Sequence, residues 1–288
     1  MRELLYSVSA QEDGAAALSF LKKRGYSRRV ITALKQAGAL TRNGALLRTV
    51  DVLREGDSVR VVLTDSGGAQ PNPDIPARTA YADEDAVVYD KPPFVPVHPS
   101  QRHRLDTLAN LFSAQYPAQP FRPINRLDRN TSGLCLCARN QLFASLAAQS
   151  LEKVYYAAVD GDIARGGRIC APIAREEGSV IKRCVSPEGK SAVTLYEPIL
   201  RRNGRTLLRV TLETGRTHQI RVHFAHIGFP LCGDDMYGGD CGGIERHALH
   251  CGRLSFTGLA GERVEVSAPL PEDIARLFGE PLIKGECT

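Results

Sequence analysis

Arg122-Pro-Ile-Asn-Arg-Leu-Asp-Arg-Asn-Thr-Ser-Gly-Leu-Cys-Leu-Cys-Ala138 is a charged loop that runs directly into an apolar strand, Leu134 to Ala138. Thr131-Ser132-Gly133 supplies the small and polar residues of a turn that returns the chain to a sheet. Asp128 sits between Arg126 and Arg129, whose charges favour its ionised form. An ionised aspartate beside a tight turn can act as a nucleophile. It can equally cap its own loop, and the residues alone leave both readings open.

Working outward, the chain alternates short apolar runs with few helical ones. Strands are expected at Ala86–Asp90, Leu134–Ala138, Val154–Val159, Ala192–Tyr196 and Leu207–Leu212, and helices at Leu142–Ser150 and Thr217–Ile227. Closely spaced strands that outnumber helices predict an α+β fold with a mixed, largely antiparallel central sheet and flanking helices. Upstream, Asp65-Ser-Gly-Gly-Ala-Gln-Pro-Asn-Pro-Asp-Ile-Pro76 is rich in Gly and Pro and marks a linker. The chain therefore divides into a small α/β unit at 1–64, a linker at 65–79 and a main domain at 80–288. In the small unit, Ala15 to Arg24 forms one helix ended by Gly25, with Leu18 and Leu21 on its apolar side. Ser27 caps a second that runs through Ala37 to Gly38. Asn43-Gly44 signals a tight hairpin turn, and Val59 to Leu63 a strand after the Gly56-Asp57 turn.

The composition, 43% apolar and 24% charged, suits a globular protein with a sizeable core. No apolar run approaches a membrane span, and Met1 to Gly14 lacks the pattern of a cleaved secretory signal. A cytoplasmic monomer is expected. Residues 1–70 carry eleven Lys and Arg against seven Asp and Glu, an excess of four in a chain whose net charge is +5. A basic front end on a near-neutral body suggests a polyanion partner. The eight cysteines show no CxxC pair and no zinc-finger spacing, so small buried or partly buried thiols are expected.

Three stretches carry a family resemblance. Arg126-Leu127-Asp128-Arg129-Asn130-Thr131-Ser132-Gly133-Leu134 resembles the R-L-D-x-x-T-S-G-L signature of RluA-type RNA pseudouridine synthases. Lys153-Val-Tyr155-Tyr-Ala157-Ala-Val159-Asp-Gly161 resembles that family's K-x-Y-x-A-x-V-x-G strand. Gly215-Arg-Thr-His218-Gln219-Ile220-Arg221-Val-His223, with Gly228, Pro230, Gly233, Asp234, Tyr237 and Gly238, resembles its G-R-T-H-Q-I-R-V-H … G-x-P-x-x-G-D-x-x-Y-G run. Weaker matches are His247 to Phe256, and Asp90-Lys91-Pro92 with Val97-His98-Pro99. The resemblance implies catalytic roles for Asp128 as nucleophile, Tyr155 against the uracil and Arg221 paired with Asp128 by a two-pronged hydrogen bond. It places Arg126, Thr131, His218, Gln219 and Ile220 around the substrate. In the small unit, Ser27 to Asp57 resembles the S-four-type RNA-binding domain, which implies that Arg28, Arg29 and Lys35, with Lys22 and Lys23 and the nearby Arg24, meet RNA phosphates.

The activity so implied is isomerisation of uridine in RNA to pseudouridine, with ribosomal RNA the first substrate to consider and transfer RNA the second. No cofactor and no metal are expected: there is no GxGxxG after a strand, no P-loop and no H-E-x-x-H, although His218, His223 and His226 lie close in sequence. Two other readings stand beside it. One is a non-catalytic RNA-binding or assembly factor on the same fold. The other is a glycosidase, which needs a second carboxylate, for which Glu213 is a distant candidate. Two departures from the family pattern fall near the loop: Asn125 where histidine is usual, and Phe94 where glycine is usual.

Overall fold

The computed structural model describes residues 2–63, 68–117 and 119–279. The front unit contains β1 (Arg2–Ser7), α1 (Ala17–Lys23), α2 (Arg28–Gln36), β2 (Leu40–Arg42), β3 (Ala45–Leu46) and β4 (Ser58–Leu63), with its sheet in the order β1-β4-β2-β3. Each predicted punctuation mark does its work. The Ser27 side chain accepts a hydrogen bond from the Val30 backbone N–H at the start of α2. Asn43 and Gly44 both have positive φ, 50° and 85°, as a two-residue primed turn requires. The strand β1 carries no clear apolar alternation and was not expected. It pairs with β4 along its whole length, from Arg2↔Leu63 to Ser7↔Ser58.

The main body contains β5 (Arg78–Ala82), β6 (Ala86–Lys91), α3 (Leu108–Gln115), β7 (Arg122–Pro123), β8 (Ser132–Ala138), α4 (Gln141–Ser150), β9 (Glu152–Asp160), β10 (Gly167–Cys170), β11 (Ile173–Arg175) and β12 (Arg183–Val185). It continues with β13 (Val193–Arg202), β14 (Arg205–Leu212), α5 (Gln219–His226), β15 (Leu249–Thr257), β16 (Arg263–Ser267) and α6 (Glu272–Arg276). Its sheet runs β10-β13-β14-β9-β15-β8-β6-β5, with β16 on β15 and β7 on β8, and β11 and β12 form a separate two-stranded sheet. The fold is thus mixed α+β with a largely antiparallel sheet; β8 and β15 are its parallel neighbours. Among the described residues no helix is long and apolar enough to cross a membrane.

The alternation expected of β9 sorts its residues to two faces. Tyr155, Ala157 and Val159 join one apolar core with β6 and β8, while Tyr156 and Ala158 join another with α6. The predicted linker differs from expectation over its second half. Ile75 is buried in the main core, the Asn72 N–H donates to the Asn110 carbonyl, and β5 begins at Arg78. The Gly- and Pro-rich composition there serves a pinned, irregular strap rather than a free tether; residues 64–67 lie outside the description. The front unit also packs on the body, since Leu142 of α4 is buried in its core and Arg2 pairs with Asp85 at 3.1 Å.

The turn foreseen at Thr131–Gly133 falls earlier, at Asp128–Thr131. Thr131 N–H donates to the Asp128 carbonyl at 3.1 Å, and Ser132 and Gly133 already belong to β8. Gly133 is required by proximity: at φ 108°, a Cβ there would lie 2.3 Å from the Cys251 carbonyl oxygen of β15. Gly133→Ala should therefore destabilise the fold by about 3 kcal/mol or more, from overpacking and the left-handed backbone together. Chemical denaturation measures this, and a loss below about 1 kcal/mol would contradict the close β8–β15 contact.

Candidate active site

Asp128 stands at the mouth of β8 because the side chains of Asn125, Lys91, Thr131 and Ser132 fix its loop. The Asn125 amide donates to the Leu134 carbonyl at 3.0 Å and accepts from the Leu136 N–H at 2.8 Å, so it binds β8 as a strand residue would. Lys91, fully buried at the end of β6, donates to the carbonyls of Pro92, Val95 and Arg129 at 2.9, 2.8 and 3.1 Å. Burial pushes its pKa down to about 7, but three carbonyl oxygens match the three donors of the ammonium. Thr131 Oγ1 meets His247 Nε2 at 2.7 Å, and Ser132 Oγ meets His250 Nδ1 at 2.9 Å.

Arg221, projecting from α5, reaches Asp128 differently from the expected two-pronged pairing. Its Nε and Nη2 both donate to Asp234, each at 2.7 Å, and only Nη1 reaches Asp128 Oδ2, at 3.3 Å. Asp234 has no exposed surface, whereas the Asp128 side chain is 29% exposed. A fully buried carboxylate needs complete compensation; a partly solvated one needs less and keeps an oxygen for other partners. Burial works against the Arg221 charge, but its hydrogen bonds and attraction to Asp234, with the attraction of Asp128, outweigh it and raise its pKa. Among the described residues, Asp128's ion-pair partner is Arg221, with the His218 ring 3.8 Å away, and not the flanking Arg126 and Arg129, whose side chains are exposed.

His218 caps α5 with left-handed backbone, φ 57°. Its Nδ1 lies 2.9 Å from the Tyr237 hydroxyl, which also accepts from the Arg183 N–H. The phenol proton is thus free to point at Nδ1, and the network assigns the imidazole proton to Nε2, 3.8 Å from Asp128. Burial lowers the His218 pKa, only partly offset by Asp128, so the ring is neutral at pH 7. Tyr155 closes the opposite side; burial raises its phenol well above the usual range, so it stays protonated.

These side chains line a cavity of about 60 Å³ that adjoins a trough of about 580 Å³. Asp128, Tyr155, Arg126, Thr131, His218, Gln219, Ile220 and Arg221 all border the cavity, so the fold brings together the main-body residues that the resemblance places at the substrate. Two of them are committed elsewhere. Gln219 spends its amide on Thr214, the Arg216 N–H, the Val193 carbonyl and Thr194, which fixes the start of α5. Thr131 is taken by His247. The three clustered histidines diverge: His223 is buried, with both ring nitrogens on Thr194 and the Ala171 carbonyl, and His226 is exposed. Glu213 pairs with Arg168 at 3.0 Å away from the pocket, and Asp128 is the carboxylate among the residues lining cavity and trough. A two-carboxylate hydrolase therefore lacks its second acid here.

The front unit presents its predicted cations unevenly. Arg28, Lys35, Lys22 and Lys23 are exposed, with no ion pair among the described residues. Arg24 is instead held by Glu12 at 2.7 Å and stacks 3.5 Å over the Phe20 ring. The Arg29 side chain lies outside the description. Of the cysteines, Cys135, Cys137, Cys232 and Cys251 are buried thiols as expected, but Cys170 and Cys241 are exposed. Asp234, Lys91 and His247 were not singled out as site residues, and the Lys91-Pro92 and Gly233-Asp234 pairs within the matched motifs were the signals available.

Residues 85–226 match the sequence profile of the RNA pseudouridylate synthase family. An uncharacterised RNA pseudouridine synthase of Bacillus subtilis is 37% identical over 279 residues, covering 91% of this chain and 96% of its own. Ribosomal large subunit pseudouridine synthase D of Pseudomonas aeruginosa is 38% identical, covering 88% and 87%. Among solved structures, human RNA pseudouridylate synthase domain containing 1 superposes with a TM-score of 0.56 at 26% identity, over 69% of this chain and 86% of that one. Fold and site thus define an RNA-modifying isomerase. The chain belongs to the RluA-type RNA pseudouridine synthases, which convert uridine in RNA to pseudouridine.

Burial also sets a pH limit on this site. His247 is driven down to about 2 and His250 to about 4, burial being the first cause in each, against about 6.5 when unfolded. Both pKa values are lower in the folded state, so the stability they contribute is complete above about pH 6.5 and is lost as pH falls below it. From His250 alone the loss should reach about 3 kcal/mol by pH 4. Urea midpoints should drop between pH 7 and pH 5, above the range where most carboxylates titrate; an unchanged midpoint would mean that these histidines already carry charge in the fold.

Proposed function

We propose that this protein modifies ribosomal RNA, with Asp128 as nucleophile, and that residues 1–64 are an S-four-like docking module for the same RNA. The observation that carries the reading is Asp128 itself: the carboxylate of the pocket, half-open to it and held by one prong of an arginine whose other two are locked on Asp234. In this reading the carboxylate attacks, the bond from uracil N1 to the sugar breaks, and the base turns while held between Tyr155 and Ile220. The bond from carbon 5 to the sugar then forms as the bond to Asp128 breaks, and the proton lost from carbon 5 is balanced by one taken up at N1. Tyr155 stacks on the uracil, and its protonated phenol donates rather than accepts. Neutral His218 supplies an N–H beside Asp128, and Arg126, exposed at the rim, meets the RNA backbone. The large-subunit relative favours ribosomal over transfer RNA as the substrate. The reaction is redox-neutral and needs no energy input, so a cofactor has no step to serve.

Base-resolution pseudouridine mapping tests this in cells lacking the protein, rescued with wild type or Asp128→Asn. A ribosomal RNA site should disappear in the null and return only with wild type, and purified Asp128→Asn should be at least about 1,000-fold slower. Full rescue by Asp128→Asn would instead make RNA binding the function.

Docking by the front unit predicts a salt signature. Arg28→Ala and Lys35→Ala should each weaken RNA binding similarly across sequences and reduce the slope of log affinity against log salt by about 1. Slopes equal to wild type in a filter-binding titration would remove these residues from the interface.

A further inference from the structure

Phe94 stands where the fold offers a phenylalanine no structural reason to be. It follows Pro93 in a turn and has φ 67°, a left-handed backbone that glycine adopts freely and a phenylalanine only at a cost. The ring returns nothing to the core. It is 41% exposed and belongs to none of the apolar clusters of the described residues. The turn is nevertheless held firmly, because the Lys91 ammonium ties its Pro92 and Val95 carbonyls to the carbonyl of Arg129. One lysine thus fixes the Phe94 turn against the residue that follows Asp128. The Arg129 guanidinium lies 5.9 Å from the Phe94 ring centroid. Arg129 lines the trough, and so does Pro96, two residues beyond Phe94. Backbone strain that the surroundings over-determine gathers at functional positions, and an exposed ring beside an exposed guanidinium is the pairing on which unstacked bases settle.

We propose that Phe94 is a stacking platform for an unpaired base flanking the target uridine. This rests on the RNA-modifying reading of the adjoining pocket. A uridine that leaves its stack to enter the cavity strips a neighbour of its partner; the Phe94 ring replaces that partner and holds the strand open, with Arg129 beside the phosphate.

The test compares wild type, Phe94→Gly, Phe94→Leu and Phe94→Trp in steady-state pseudouridine formation. The probe is large-subunit ribosomal RNA isolated from cells lacking the protein. Phe94→Gly and Phe94→Leu should raise KM by about 5- to 100-fold with kcat at saturation little changed, and Phe94→Trp should keep the wild-type KM. The Tm of Phe94→Gly should equal or exceed that of wild type, since glycine relieves the backbone. A wild-type KM for Phe94→Leu would overturn the proposal, because leucine offers bulk without a π-face. So would a Phe94→Trp as impaired as Phe94→Leu, or a lower Tm for Phe94→Gly, which would put the ring in the fold. If wild type itself makes no pseudouridine on this RNA, the ribosomal reading fails, and this proposal with it.

Discussion

One guanidinium shared unequally between two carboxylates organises the centre of this protein. Arg221 gives two hydrogen bonds of 2.7 Å to Asp234, which has no solvent contact, and one of 3.3 Å to Asp128, which has some. The bidentate pair with Asp234 is the strong one for an arginine that is itself 6% exposed. With Asp234 buried beside it, the cation is neutralised inside the protein before Asp128 is considered. Asp128 therefore need not act as a structural counter-ion. In the proposed reaction that matters, because a carboxylate locked in a fork has both oxygens occupied, whereas one held by a single long contact keeps an oxygen for the substrate.

The anchors of the Asp128 loop hold it without touching the carboxylate. Asn125 ties the loop's approach to β8, Lys91 ties its far side to β6, and His247 ties Thr131 to the segment before β15. Each anchor is a hydrogen bond buried from water, where an unpaired group would be costly. Asn125 also accounts for one departure from the family pattern. Its amide offers a donor and an acceptor to Leu134 and Leu136 at once, a pairing that a single imidazole nitrogen could not supply.

Local signals were legible in the sequence, and distant ones were not. The Asn43-Gly44 turn, the Ser27 cap, the two faces of β9 and the apolar run of β8 depend on residues within one element, and each appears as the sequence indicates. The strand β1 could not be read, because its alternation is weak and its partner β4 is some fifty residues away. The site follows the same division. Asp128, Tyr155 and Arg221 lie in three separate runs that only a family resemblance connects. The bond from Thr131 to His247 spans 116 positions, and no spacing rule reaches that far. The priority of Asp234 over Asp128 is a matter of relative burial, which exists only once the chain is folded.

The left-handed residues show the same exchange between fold and site. His218 and Phe94 both carry positive φ without being glycine; His218 lines the trough, and Phe94 lies two residues before Pro96, which also lines it. For His218 the gain is visible: the conformation turns the ring so that Tyr237 can fix one nitrogen while the other faces Asp128. Among the described residues, the Phe94 ring is met by the loose approach of Arg129. Of these two left-handed residues, one is satisfied from within and the other is open to solvent. In the proposed reading, a base of the RNA takes the place beside the Phe94 ring.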